Sequence, residues 1–254
     1  MDFYLGIDIG TSRVKAVLFD QHFQACASAA QNTGPRLSAN GEAEQDMAQL
    51  WQSVVAILRD IARHPALQNG RLRAIGLAGQ GEGVWLCDAE GEPVGPGILW
   101  SDTRSRELMN ELLSRPGFDR RFFDDTGTHL QPCNTSMQLC WLKHHQPERL
   151  AAARYLFFAK DWIRFRLTGV AALDLTDAST SLLNQQSGKL SAVVLNEMGL
   201  ADLQPLFPPL LAPDAQAGAL REEVAAQTGL PAATPLAAGA LDVCSAALGC
   251  GAVN

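Results

Sequence analysis

The sequence predicts an α/β fold with a mixed sheet flanked by helices. Three observations carry that reading. A meander of short β-branched and aromatic runs opens the chain, a long amphipathic helix follows, and strand–glycine–helix patterns return near residues 72–87 and 236–248. Tight hairpins force antiparallel pairs and crossovers through helices give parallel ones, so the sheet is expected to contain both.

Tyr4–Ile9, Val14–Phe19 and Gln24–Ala30 form the meander, separated by Gly-Thr-Ser and Asp-Gln-His. Glu44–Arg63 reads as a helix: Met47, Leu50, Trp51, Val54, Val55, Leu58 and Ile61 keep the i, i+3, i+4 rhythm, and Pro65 marks its end. Leu72–Leu77 is a strand running into "AGQGEG". Val84–Cys87 is another, turned by "DAEGEP" into Gly97–Trp100. Helices are then expected at Thr103–Ser114, Thr135–His145 and, after a short strand Tyr155–Phe158, at Lys160–Leu167. Asn196 to Pro235 is rich in Leu, Ala and Pro, which suggests short helices and loops. Leu236–Ala238 is a last strand, and Asp242–Leu248 starts a helix.

Bulk properties narrow the class. The 254 residues suffice for a sizeable core, and 47% hydrophobic with 19% charged residues is globular composition. A net charge of −7 argues against a nucleic-acid partner. The six cysteines show no C-x-x-C spacing and no His pair that completes a zinc pattern, so buried, reduced thiols are expected. No basic segment precedes an apolar run at the N-terminus, and Asp242 and glycines interrupt the apolar stretch Leu236–Val253. A cytoplasmic protein away from membranes is the expectation, and the Asn134-Thr-Ser sequon reads as chance.

Three stretches could carry chemistry. In "YLGIDIGTSRVKAVLFD", Asp8 projects from a strand end, Gly10 permits a tight turn, and Thr11 and Ser12 set hydroxyls beside backbone N–H groups. Such a loop cradles phosphate when a cation such as Mg²⁺ or a lysine relieves the repulsion from Asp8. It is also a plain hairpin with Asp as turn former. In "PLAAGALDVCSAALG", Asp242 stands at a helix start, either as a functional acid or as a cap. In "GLAGQGEGVWLCD" and "GILWSDTRS", Gln80, Glu82, Trp100, Asp102 and Arg104 gather at the ends of expected strands. Acids, an amide and an aromatic face suit a sugar. Trp100 as core and Asp102 as an N-cap is the structural alternative. No G-x-x-x-x-G-K-[ST], G-x-G-x-x-G after a strand, H-E-x-x-H or G-x-S-x-G occurs.

With "AIGLAGQGEG", "GILWSDTRS", "TGTHLQPCNTSMQLCWLK", "FAKDWIRFRLTG", "LDLTDASTSLLN" and "AAGALDVCSAALGCGAVN" following the opening hairpin in order, the sequence resembles the FGGY family of carbohydrate kinases over its whole length. That family includes xylulokinases, glycerol kinases and erythritol kinases. The resemblance implies a ribonuclease H-like, actin/hexokinase-like ATPase fold. It implies ATP and Mg²⁺, with Asp8 near the metal and phosphates and Gly10, Thr11, Ser12 and Arg13 in the phosphate-facing hairpin. Gln80, Gly81, Glu82, Trp100 and Asp102 would line the sugar pocket, and Asp242 would be the catalytic base. It implies the sugar-binding N-terminal domain across residues 1–254, with a helical insertion around 103–170 and a further ATP-binding domain that this sequence lacks. The chain alone is therefore expected to be inactive as a kinase. The substrate class implied is a pentulose or a short polyol; a non-catalytic sugar-binding module on the same half-fold is the alternative. The Ala-rich end "SAALGCGAV" would face the second domain or a second copy of the chain.

Overall fold

A computed structural model describes residues 1–252; Val253 and Asn254, the end of the Ala-rich segment, lie outside the described residues. Strands β1 (Asp2–Ile9), β2 (Arg13–Asp20) and β3 (Ala25–Asn32) form the antiparallel meander. Its period of two is visible in burial. Phe3, Leu5, Ile7, Ile9, Val14, Ala16 and Leu18 are buried, and their neighbours turn to the other face.

Two short strands, β4 (Arg36–Leu37) and β5 (Ala43–Gln45), lead into helix α1 (Met47–Ala62). The helix starts later than its periodicity suggests. Glu44 and Gln45 pair as strand, and Asp46 caps the helix by accepting the Gln49 N–H at 2.9 Å. A short α2 (Pro65–Gln68) precedes β6 (Arg71–Gly79), which runs parallel to β1. After β7 (Trp85–Cys87) and β8 (Gly97–Ile98) come α3 (Arg106–Leu113), α4 (Phe118–Thr126), α5 (Thr135–His145) and α6 (Pro147–Ala152). The sequence reading missed α4 and α6. It also began α3 too early, because Asp102 draws the Arg104 N–H into a turn ahead of the helix.

Strand β9 (Tyr155–Phe157) leads into α7 (Ala159–Thr168), then β10 (Leu173–Asp174) and α8 (Leu175–Ala178). The region expected to hold only short helices and loops also supplies β11 (Leu210–Leu211) and β12 (Gln216–Ala219) ahead of α9 (Glu222–Thr228). The described chain closes with β13 (Pro235–Ala237), β14 (Ala240–Leu241) and α10 (Asp242–Gly249).

The main sheet has the order β12-β13-β6-β1-β2-β3, with β14 also on β6, and it mixes parallel and antiparallel pairs. β13 and β14 are successive pieces of one strand broken at Gly239. Its φ of +86° and an approach of 2.3 Å between a built Cβ and the Leu77 carbonyl leave room for no other residue. Residues of α1 and α7 share one core with the buried face of β1 and β2. The opposite face is open over a cavity of about 660 Å³ whose lining includes Gly6, Asp8, Lys15, Gly76, Ala78 and Leu248. Helix α10 buries no residue; Val243 and Leu248 are 64% and 66% exposed.

Among the described residues no helix is long and apolar enough to cross a membrane. The cysteine expectation holds only in part. Cys87 and Cys140 are buried, with burial pushing both thiols up to about 12, but Cys26, Cys244 and Cys250 are exposed. The exposed three lie on the sheet-edge strand β3 and in or just after the uncovered α10.

Candidate active site

Three parallel strands end level with one another. Ile9 and Leu241 both pair with Gly79, and Asp8 and Ala240 both pair with Ala78. β6 lies between β1 and β14, so the backbones carrying Asp8 and Asp242 leave the sheet at one edge, about 10 Å apart, or two strand spacings. Ligands of open α/β sheets bind at this carboxyl end of parallel strands.

Asp8 is partly exposed, and Lys15 Nζ lies 3.3 Å from its Oδ2. The pair is a consequence of the hairpin, since Asp8 and Lys15 are directly opposite in the β1–β2 register. The turn itself needs Gly10, where a Cβ would sit 2.7 Å from the Arg13 carbonyl. Ser12 and Arg13 are exposed, and the Ser12 carbonyl accepts the Thr33 N–H at 2.9 Å.

Thr11 ties the hairpin to its neighbours. Its hydroxyl donates to Gln80 Oε1 (2.7 Å) and accepts from Trp100 Nε1 (2.9 Å). Gln80 Nε2 donates to Gln45 Oε1 (3.0 Å), and Gln45 Nε2 returns to the Thr11 carbonyl (3.2 Å). The ring fixes an indole that is 50% exposed, so Trp100 is not core. Gln80 is buried with its amide committed inside this ring.

Glu82 and Asp102 are committed as well. Glu82 has φ +54° and accepts from Asn134 Nδ2 (2.8 Å), the Thr135 N–H (2.7 Å), the Thr135 hydroxyl (2.8 Å) and the Ser181 hydroxyl (3.0 Å). The carboxylate thus closes the N-terminus of α5 and is largely occupied by protein donors. The Asn134 amide is consumed in the same contact, in keeping with a chance sequon. Asp102 corrects the sequence expectation of a pocket-lining acid. It is fully buried, accepts the Ala43 and Arg104 N–H groups, and is bridged by the Arg104 guanidinium, which also reaches Glu44 at 2.9 Å. No face of its carboxylate is open to a ligand.

Asp242 is the first residue of α10, not its cap, and its Oδ1 accepts the Val243 N–H at 2.7 Å. Gly81 lies against the preceding residue: a Cβ there would stand 2.1 Å from Leu241 Cδ1. Asp8, Trp100, Gly81 and Asp242 therefore border one edge of the sheet.

Two sets of residues escape the sequence reading. Lys15 was legible as the strand partner of Asp8 across a four-residue turn. The buried charges Lys160, Asp161, Arg164, Asp174 and Asp177 form a cluster beneath the Gly81–Glu82 turn. For Lys160, Asp161 and Arg164 the local signal is charge interleaved with the apolar residues of α7; Asp174 and Asp177 lie on β10 and α8. Burial pushes the Asp177 carboxyl up to about 7, against the pull of Lys160. Burial alone would lower Lys160; the carboxylates of Asp161, Asp177 and Asp174 outweigh it and hold the ammonium above its ordinary value.

Known proteins resemble the chain in sequence and in fold. The chain is 36% identical to the erythritol kinase of Brucella abortus over 98% of its own length and 48% of that protein's. It is 32% identical to the L-xylulose/3-keto-L-gulonate kinase of Escherichia coli over 97% of its length and 49% of that protein's. The crystal structure of the Rhodospirillum rubrum xylulose kinase superposes with a TM-score of 0.92 at 27% identity, covering 99% of this chain and 51% of that one. The chain thus spans about half the length of the relatives it matches. Residues 3–249 match the N-terminal domain of the FGGY family of carbohydrate kinases, and the chain belongs to that family.

Proposed function

We propose that this chain is the sugar-binding part of an ATP-dependent carbohydrate kinase acting on a pentulose or a short polyol, and that it carries the catalytic base. One observation carries the reading: Asp8 and Asp242, far apart in sequence, leave level strand ends at one sheet edge beside an exposed indole fixed by the hairpin. Two relatives, one named for erythritol and one for L-xylulose, support the substrate class.

Phosphoryl transfer to an alcohol needs alignment, charge neutralisation and an acceptor for the hydroxyl proton. Asp242 orients the reacting hydroxyl and takes its proton as the bond to phosphorus forms. Trp100 offers its face to the sugar C–H groups, with Gly81 as the close backbone wall. Thr11, Ser12 and Arg13 face the phosphates from the hairpin, with Gly10 allowing the turn. Asp8 fits a Mg²⁺–phosphate group in kind: it is a partly exposed carboxylate whose only side-chain partner among the described residues is Lys15. Mg²⁺ binds through one or two carboxylates and the phosphates themselves, and would supply charge neutralisation. Glu82, Asp102 and Gln80 hold the shape of the pocket.

A thermal-shift panel of pentuloses, pentoses and polyols tests this. A ligand bound only by the folded chain raises its melting temperature, by mass action. A pentulose or polyol hit supports the reading; a flat response across the panel removes it.

A further inference from the structure

We propose that Lys160 is a positioning residue for this site, a single buried ammonium that sets both the Gly81–Glu82 turn and the strand end from which Asp242 emerges. One arm runs from Lys160 Nζ to Asp177 Oδ2 (2.8 Å), and Asp177 Oδ1 accepts the Glu82 N–H (2.9 Å). The other runs from Nζ to Asp174 Oδ2 (3.2 Å), which also accepts the Thr176 hydroxyl; the Thr176 oxygen in turn accepts the Leu241 N–H (2.9 Å). Leu241 immediately precedes Asp242.

The polarity of the second arm is fixed. The Leu241 amide can only donate, so the Thr176 hydroxyl accepts from it and turns its own proton to Asp174 Oδ2, the atom that also faces Lys160. The two arms meet again where Leu241 Cδ1 packs on Gly81. From the next turn of α7, Arg164 Nη1 holds the Ala238 carbonyl at 2.6 Å, securing the same strand upstream. Buried ion pairs are poor sources of net stability but demand one geometry, which suits a device that places two loops relative to each other. A purpose in catalysis rests on the reading of Asp242 as base; the mechanical claim does not.

The test is residue-resolved amide exchange on the full chain carrying Lys160→Met. The Glu82 and Leu241 amides are expected to exchange about tenfold faster together, the scale of one lost hydrogen bond, with the Ile7 and Val14 amides of the sheet unchanged. Unchanged Glu82 and Leu241 amides, or uniform acceleration of the core, overturns the proposal. If Lys160→Met does not fold, Thr176→Val decides. It cuts only the Leu241 arm, yet the Glu82 amide on the far arm should also exchange several-fold faster, and Thr176→Ser should restore it. An unchanged Glu82 amide, or no restoration by Ser, overturns it. A wild-type chain that binds no sugar defeats the kinase reading, while the exchange rates still judge Lys160.

Discussion

The hairpin rim and the wall beside it draw on the same residue types and use them in opposite ways. On the rim, Asp8 meets one lysine and is partly exposed, Trp100 is half exposed, and Asp242 accepts, among the described residues, only a backbone N–H of its own helix. In the wall, Glu82 accepts from four protein donors, Asp102 is sealed by Arg104, and Lys160 sits among three carboxylates without solvent. An acid's type says little; its remaining hydrogen-bonding capacity separates a group that can meet a ligand from one that holds shape.

That contrast predicts a split between function and stability. The largest effect should be Asp242→Asn in an assembled kinase containing this chain. Turnover should fall at least about a hundredfold while sugar affinity and melting temperature stay within error. Retained turnover would remove Asp242 as base. Next comes Glu82→Ala, which strands the Asn134 and Thr135 donors and should cost about 2–3 kcal/mol in urea unfolding. A cost under about 0.5 kcal/mol would return Glu82 to the ligand-facing set.

A pH series probes the wall more finely. The folded chain holds a proton on Asp177 up to about 7, whereas the unfolded carboxyl releases it near 3.8. The unfolded state therefore binds fewer protons across that window, and this group's contribution weakens folding as pH rises from about 4 to 7. Unfolding free energies of wild type against Asp177→Asn at pH 5 and 7.5 should show wild type losing ground at the higher pH. The opposite trend would mean that Lys160 dominates the carboxyl. The smallest effect should be Asp8→Asn, a screened and partly exposed pair, within about 0.5 kcal/mol of wild type by urea unfolding. A larger loss would place Asp8 in the framework.

Legibility in the sequence follows the same divide. Alternation in β1 and β2 and the 3.6-residue rhythm of α1 are local, so the meander and its covering helix could be read directly. Asp8 and Asp242 were legible because each stands beside a glycine-marked strand end. The commitments of Glu82 to Asn134, Thr135 and Ser181 span 52 to 99 residues, and no local pattern records a partner that distant. Asp102 misled for a related reason. A short Trp-Ser-Asp run shows that an acid lies near a pocket, not that Arg104 and the Ala43 amide close it off.

The central claim is that the open residues bind and the sealed ones hold shape. Calorimetric titration of this chain with the sugar identified by the panel, wild type against Trp100→Ala, tests it most directly. The expected result is at least a tenfold loss of affinity, about 1.4 kcal/mol, with the melting temperature nearly unchanged. Equal affinity in the two proteins would contradict it.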